Sequence, residues 1–510
     1  MNRDGAKKSI WQEEIKEFDD QKISHQVFDV AIVGAGITGI TTALEFQKEN
    51  MNCILLEASN IGFGTTGGTT AHLNDFFDTP FHKVIENFGS EKAMLYAKAG
   101  QEAIAVIEEN IENYKIDCDF ERKVAYLFAL DKKQSKNLKE IKKGMEDVGH
   151  LIYDTNEIPF PIDFEKAVVI PNQAQFHPVK YIKALCNIFI KKGGVFIQNA
   201  LVERHEEKED EVSIYTVRGL FKARYLIYAT HIPPGINSIH FMTAPYRSYV
   251  IACRLKDNSF PKVLGYDLNE SYHYYRFHLI NGENLLIAGG EDHKTGHEED
   301  TNKRFEALED HIRKYFKVKE VVYSWSSQYY ETLDGLAYIG KMPGDETRVY
   351  MATGFRGNGM IWGTLSSKIL RDLIIKGFSS YGKLFDPERI KPLAGFSTFI
   401  KEIADVGIDF IKDKLFVEKI HSAAELENGE AKVVKYEGES YAVFKEKSGE
   451  LHILKSTCPH AHCEVRWNTA ELSWDCPCHG SRFGINGKFL TGPAAKNLQR
   501  IFPNPDIFSL

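Results

Sequence analysis

Long apolar runs are missing from this chain of 510 residues. No stretch of eighteen or more apolar residues reads as a membrane span. Cysteine is sparse, eight in all, and four of these (Cys53, Cys118, Cys186, Cys253) stand alone. Scattered single cysteines are small buried hydrophobes of a reducing compartment, which excludes a disulfide-built secreted scaffold. A continuous basic run is also missing and formal net charge is −8, so nothing marks a nucleic-acid partner. The opening residues, MNRDGAKKSIWQEE, are charged where a signal peptide would be apolar. Together these absences predict a cytoplasmic enzyme without an integral membrane segment, peripheral contact staying open. Hydrophobic residues make up 43% and charged residues 26%, an ordinary globular balance, so the length predicts two to four domains with sizeable cores.

The other four cysteines crowd into the last sixty residues, and histidines accompany them. Cys458 and His460 form C-x-H; after fifteen intervening residues Cys476 and His479 form C-x-x-H. Two loops, each offering one thiolate and one imidazole, can hold a [2Fe–2S] cluster with cysteines on one iron and histidines on the other. A structural zinc site competes for the same residues. Zinc of the Cys₂His₂ type usually draws its ligands from C-x₂₋₄-C and H-x₃₋₅-H, which this spacing fits poorly. The pattern resembles the Rieske iron–sulfur domains. That resemblance implies Cys458, His460, Cys476 and His479 as cluster ligands and a disulfide between Cys463 and Cys478 (in CPHAHC and CPCH). It further implies a hydrogen bond from Ser481 to the cluster and a shielding proline loop at Gly492, Pro493 and Ala494. Phe483 stands where high-potential members often carry a tyrosine, and loss of that hydroxyl lowers the expected potential.

At the other end, FDVAIVGAGITGITTALEF reads as an apolar strand, a glycine turn and an amphipathic helix. Gly34, Gly36 and Gly39 give G-x-G-x-x-G, and a second strand, CILLE, ends at Glu57. Strand, turn, helix, strand and acid make a dinucleotide fingerprint: Gly34 for the turn, Gly36 for backbone approach to pyrophosphate, Gly39 for helix packing, Glu57 for the ribose. The helix N-terminus attracts the phosphate charge.

The fingerprint alone leaves FAD and NAD open. A second glycine-rich run, ASNIGFGTTGGTTAHL, follows Glu57, and YMATGFRGNGMIWG lies near residue 350. Both resemble the FAD-dependent oxidoreductases of the D-amino-acid oxidase, glycine oxidase and sarcosine oxidase superfamily. The resemblance runs from about residue 28 to 380, including QAQFHPVKYIKAL, YLIYATHIPP and WSSQYYETLDGLAYIG. It implies FAD held by Gly34, Gly36, Gly39, Glu57, Gly64, Thr65, Thr66, Val202, Gly354, Gly357, Asn358, Gly359 and Met360. Thr69, and not His72, falls nearest the position where some relatives attach flavin covalently, so noncovalent FAD is expected. Tyr329 and Tyr330 replace an arginine–proline pair of the family pattern, which puts a transferred carboxylate-binding arginine in question. Candidate substrate contacts are Arg247, Tyr249, Tyr275, Arg276, Tyr329 and Arg356, since an arginine clamps a carboxylate bidentately; for each arginine an ordinary salt bridge competes. No catalytic acid–base pair stands out.

The expected fold class is an α/β Rossmann-type FAD-binding domain with an α+β substrate domain (antiparallel sheet), followed by a small all-β Rieske domain. The expected organisation is an N-terminal segment 1–27 and an oxidoreductase over 28–390. Its nucleotide-binding parts fall near 28–88, 170–235 and 335–385, and its substrate domain near 89–169 and 236–334. A linker helix over 391–414 and a Rieske domain over 415–510 complete it. With no second G-x-G-x-x-G, the electron donor is expected to be a small amine or amino acid, and the acceptor is undefined. Two cofactors in one chain predict an amine or amino-acid dehydrogenase that passes electrons from flavin to cluster to an external acceptor. An oxidase using O₂ with a structural or redox-sensing Rieske module, and an electron-transfer adaptor loaded by a partner protein, stay open as alternatives.

Overall fold

The computed structural model describes residues 3–12, 18, 26–257, 261–344, 346–389, 426–436 and 438–501. The linker helix expected over 391–414 lies outside these residues.

Val27–Val33 is apolar on both faces because it lies in the middle of a parallel sheet. It pairs with Gly219–Tyr228 on one side and Cys53–Leu56 on the other. Val195–Ile197 extends the sheet beyond Cys53–Leu56, while Val349–Thr353 and Tyr338–Lys341 extend the opposite side. The helices Ile37–Lys48 and Gly359–Lys376 pack together over the sheet through small residues, Gly363 lying against Thr38. Each helix begins at one glycine turn of the sequence, so both turns open on the same side.

The second sheet is nine-stranded and faces the first across a cavity. Its long strands Thr243–Leu255, Tyr274–Ile280, Glu283–Lys294 and Val318–Thr332 pair antiparallel, as expected. One junction departs from the expected antiparallel sheet: Leu264–Asp267 runs parallel to Glu121–Ala129. The chain between them passes through the nucleotide sheet, and a long crossover of that kind delivers parallel neighbours. Sheet membership also puts His72–Leu73 and Lys166–Gln175 on this side, because they hydrogen-bond to one another and Lys166–Gln175 to Glu121–Ala129. Helices Lys132–Asp147 and Asn302–Tyr315 pack on this sheet, while Ser90–Tyr114 lies against Gly359–Lys376 of the other half, where Glu102 pairs with Lys368.

The C-terminal part carries a three-stranded antiparallel sheet (Ala431–Tyr436, Glu439–Lys445, Leu451–Lys455) and a four-stranded one (Arg466–Asn468, Ser473–Asp475, Arg482–Gly484, Phe489–Thr491). Trp474 and Phe483 fill the core beside Cys458 and Cys476.

Residues 3–12, a segment without a sequence-level role, thread between the two halves. Trp11 donates from Nε1 to the Thr69 carbonyl at 2.6 Å, and Gln12 and Ser9 bond the Gly62 and Gly67 carbonyls. Arg3 and Asp4 enter a buried charge cluster where Arg3, Arg247 and Arg482 meet Asp4, Glu471 and Asp475. Every member of this cluster is 1% exposed or less. Burying charges is costly unless they are paired, and here the pairing spans three segments distant in sequence.

Candidate functional site

A cavity of about 820 Å³ lies between the two large sheets. Gly34, Gly36, Glu57, Gly64, Thr65, Thr66 and Val202 line one end, and Gly357, Asn358, Gly359 and Met360 line a second wall. Gly39 and Gly354 do not reach the lining. A Cβ on Gly39 would lie 1.8 Å from the Gly34 carbonyl oxygen, so that position serves the close approach of helix to turn. Gly354 has φ +71, a left-handed conformation suited to glycine. The Ile37 N–H donates to Thr66 Oγ1 at 3.1 Å, tying the first glycine turn to the second glycine-rich run.

Glu57 accepts from the backbone N–H of Ala35 and of Ser59, each at 2.8 Å. Burial still pushes its carboxyl above the ordinary value, against the pull of those N–H groups. A half-buried carboxylate of this kind at the cavity edge suits hydroxyl donors, and a ribose supplies two. The residues present therefore fit a dinucleotide: an acid for ribose, and a glycine turn at a helix N-terminus for pyrophosphate.

Of the six expected substrate contacts, two line the cavity and four do not. Tyr329 and Arg356 are in its wall. Arg247 is buried in the charge cluster instead, on the far face of its strand. Tyr249 binds His293 Nε2 through its hydroxyl at 2.9 Å, and Tyr275 bonds His311 and Asp267. Arg276 donates to the Thr70 and Ala71 carbonyls and to His278 Nδ1, holding the loop after the second glycine run from behind. Alternation along a strand explains three of these corrections: Arg247, Tyr249 and Tyr275 sit beside cavity residues (Ser248, Tyr274) and point to the opposite face. Arg276 shares the face of Tyr274 and is kept from the lining by the loop whose Thr70 and Ala71 carbonyls it binds. Sequence reasoning also missed cavity residues. Asp78, Asp292, Glu331 and His231 line it; His231 and Glu331 fall within the family-like segments YLIYATHIPP and WSSQYYETLDGLAYIG, whereas Asp78 and Asp292 lie in no motif. His72 lines it too, its imidazole pushed down to about 3 by burial and by Arg276, hence neutral.

The second site is formed by the loops after Leu451–Lys455 and after Ser473–Asp475. The Cys458 and Cys476 thiols share a hydrogen bond, and the backbone N–H groups of His460 and Ala461 point at Cys458 as those of Cys478 and His479 point at Cys476. Ser481 also bonds Cys458 while its Oγ accepts from the Ala494 N–H at 2.9 Å. His460 Nδ1 and both ring nitrogens of His479 are buried without a hydrogen-bond partner among the described residues. Buried orphan nitrogens beside two thiols call for a ligand, and that donor set fits a cluster. The four donors are not gathered as one compact tetrahedral set. A tetrahedral ion brings its donors within about 4 Å of each other, yet among the described residues these four do not form a group with donor atoms inside 4.8 Å. Cys463 and Cys478 form a disulfide between the loops, Cα atoms 6.5 Å apart.

The two sites meet along Val318–Thr332. Tyr329 faces the cavity, while the Tyr330 hydroxyl donates to the His479 carbonyl at 3.1 Å. Gln328 Nε2 donates to the Gly480 carbonyl at 2.9 Å. Gly480 has φ +77, and a Cβ there would lie 2.7 Å from Gln328 Nε2 and from Pro245, so glycine permits this approach. His460 Nε2 lies 2.9 Å from the Gly235 carbonyl, and His240 packs edge-on against His460 at 4.5 Å. Thr491, Gly492 and Ala494 of the second site complete the cavity wall.

A family model described as FAD dependent oxidoreductase (DAO) matches residues 29–373, and one described as Rieske [2Fe-2S] domain matches 417–503. The chain belongs to the DAO family of FAD-dependent oxidoreductases and carries a C-terminal Rieske domain; it binds FAD and a [2Fe–2S] cluster. The Bacillus subtilis (strain 168) protein YhfW, provisionally named a Rieske 2Fe-2S iron-sulfur protein, is 33% identical over 475 residues, 93% of each chain. Gamma-glutamylputrescine oxidoreductase of Escherichia coli (strain K12) is 22% identical over 68% of this chain and 83% of its own. Glycine oxidase from Geobacillus kaustophilus superposes with a TM-score of 0.60 at 19% identity, covering 72% of this chain and all of that one. No helix among the described residues is long and apolar enough to cross a membrane.

Proposed function

We propose that this oxidoreductase takes electrons from the C–H bond beside the nitrogen of a small amine and delivers them through its Rieske domain to an external acceptor. One observation carries the reading: the loops bearing Cys476, His479 and Gly492 are seated on the wall of the cavity that contains the dinucleotide cradle. FAD, when bound, supplies the two-electron acceptor, and the cluster supplies a one-electron carrier.

The residues of this chain hold the two sites together and dry. Tyr330 is 1% exposed and fills the space between cavity and cluster loop, its ring 4.7 Å edge-on from His231. The Thr65 hydroxyl approaches His231 Nδ1 at 3.3 Å, and burial pushes that imidazole down to about 4, so it adds no charge. We propose Gly34, Gly36, Glu57, Gly64, Thr65, Thr66, Val202 and the turn Gly357–Met360 as FAD contacts, with Gly39 and Gly354 shaping the turns. Cys458, His460, Cys476 and His479 are the proposed cluster ligands.

Rapid mixing with amines and amino acids under anaerobic conditions tests the relay. Bleaching of the flavin band should be followed by bleaching of the cluster band and a Rieske electron paramagnetic resonance signal; flavin reduction with an unchanged cluster would overturn it. Cys458→Ser should abolish that signal and keep flavin reduction, while reduction of an added one-electron acceptor falls about tenfold or more. Peroxide yield equal to substrate turnover, unchanged in the same variant, would instead favour the oxidase alternative.

A further inference from the structure

We propose that the cavity takes an aliphatic amine carrying a second positive charge, the diamine and polyamine class, and disfavours a substrate carboxylate. This rests on the amine-oxidising reading above and names its substrate class.

Charge in the lining is lopsided: seven acidic side chains against two basic ones, Lys133 and Arg356. An anionic substrate would have to enter that field. Arg356, the basic residue beside the late glycine turn, already engages Glu331 at 3.1 Å and the Thr79 hydroxyl at 2.8 Å. Arg247 and Arg276 lie outside the lining, so neither offers a carboxylate clamp.

The opposite chemistry is present. Asp292 accepts from the Tyr329 hydroxyl through Oδ2 at 2.9 Å, while its buried Oδ1 has no hydrogen-bond partner among the described residues. Tyr272, Tyr274 and Tyr329 line the same wall. A carboxylate with a free buried oxygen among aromatic faces is the recognition chemistry of an ammonium group. The groups facing Asp292 come from every neighbouring element: Asp78 from its loop, Glu331 and Tyr329 from Val318–Thr332, Tyr272, and Ser248 from Thr243–Leu255. Burial, reinforced by Asp78 and Glu331, pushes the Asp292 carboxyl up to about 7 against the hydrogen bonds of Ser248 and Tyr329. An arriving ammonium favours the carboxylate, so binding just below neutral pH should release a proton, and affinity should rise with pH through this range. The reaction stays that of an amine: the C–H bond breaks and the nitrogen lone pair closes the C=N bond, for which FAD, when bound, would supply the acceptor of the hydrogen and its electron pair. Loss of the N–H proton and addition of water give carbonyl and free amine.

The test is calorimetric titration of the full-length, FAD-loaded protein, reduced with dithionite so that ligands bind without turnover. The probes are 1,4-diaminobutane, 1-aminobutane and 4-aminobutanoate. The diamine should bind about tenfold or more tightly than 4-aminobutanoate, with proton release read from two buffers of different ionisation enthalpy. Asp292→Asn should bring the two ligands near parity and remove the proton release. Glu331→Gln, which frees Arg356, should shift preference toward 4-aminobutanoate and serves if the first variant does not fold. Equal or tighter binding of 4-aminobutanoate to the unaltered protein, binding of no probe, or a preference untouched in the variants would overturn the proposal. Failure of the relay reads differently: amines would reduce the flavin and leave the cluster oxidised.

Discussion

Glu471→Ala should weaken the seating of the Rieske domain by about 3–5 kcal/mol, the cost of removing one partner from a buried ionic cluster. Glu471 is fully buried and faces Arg3 at 3.5 Å, and it accepts from the Ser326 N–H at 3.0 Å. Its loss leaves three buried guanidiniums against two carboxylates, and among the described residues Arg247 has no hydrogen-bond partner of its own to fall back on. Urea titration should then show the cluster band collapsing well before the flavin band, with cluster reduction slowed in step. Acid reads the same contact. Burial pushes the Glu471 carboxyl up, but Arg3, Arg247 and Arg482 pull it down further, to about 2. A depressed folded-state value gives stability that is present above the ordinary value of 4.5 and lost as pH falls toward 2. The contribution lost over that window is about 3 kcal/mol. Glu471→Gln should flatten this acid limb; an unchanged limb would remove the assignment.

Gly39→Ala should leave the protein without bound FAD and cost about 3 kcal/mol of stability or more. The added Cβ would lie 1.8 Å from the Gly34 carbonyl oxygen and 3.4 Å from Ile32 Cγ2. Both Gly34 and Gly39 are fixed by backbone, so no rotamer relieves the clash; Ile37–Lys48 must back away from Val27–Val33. The helix N-terminus then leaves its place beside Glu57, and the cradle opens. The ratio of flavin to protein absorbance and the melting temperature measure this directly; full FAD content in the variant would refute the packing role.

Much of this molecule was legible before any coordinates because its motifs are local. G-x-G-x-x-G between a strand and a helix, Glu57 at the end of the next strand, and C-x-H followed by C-x-x-H are each set by backbone geometry within a few residues. Composition and motif alone also separated the Rieske end from the flavin end. The substrate contacts were different: Arg247, Tyr249 and Tyr275 miss the cavity lining because a strand turns alternate side chains to opposite faces, and Arg276 misses it because the Thr70 and Ala71 carbonyls take up its guanidinium. Which face meets the cavity is decided by the partner sheet, and nothing local records it.

The sequence by itself determined which two cofactors the chain binds and the order of the two domains that bind them, since short-range steric rules give each its local pattern of glycines, acids, thiols and imidazoles. Only the tertiary structure decided that Arg3, Arg247 and Glu471 share one buried cluster, that Tyr330 touches the cluster loop, and that Asp292 faces a cavity with an unmet oxygen. Those relations join residues tens to hundreds of positions apart, and their energies come from burial and charge pairing, which exist only once the chain has closed on itself.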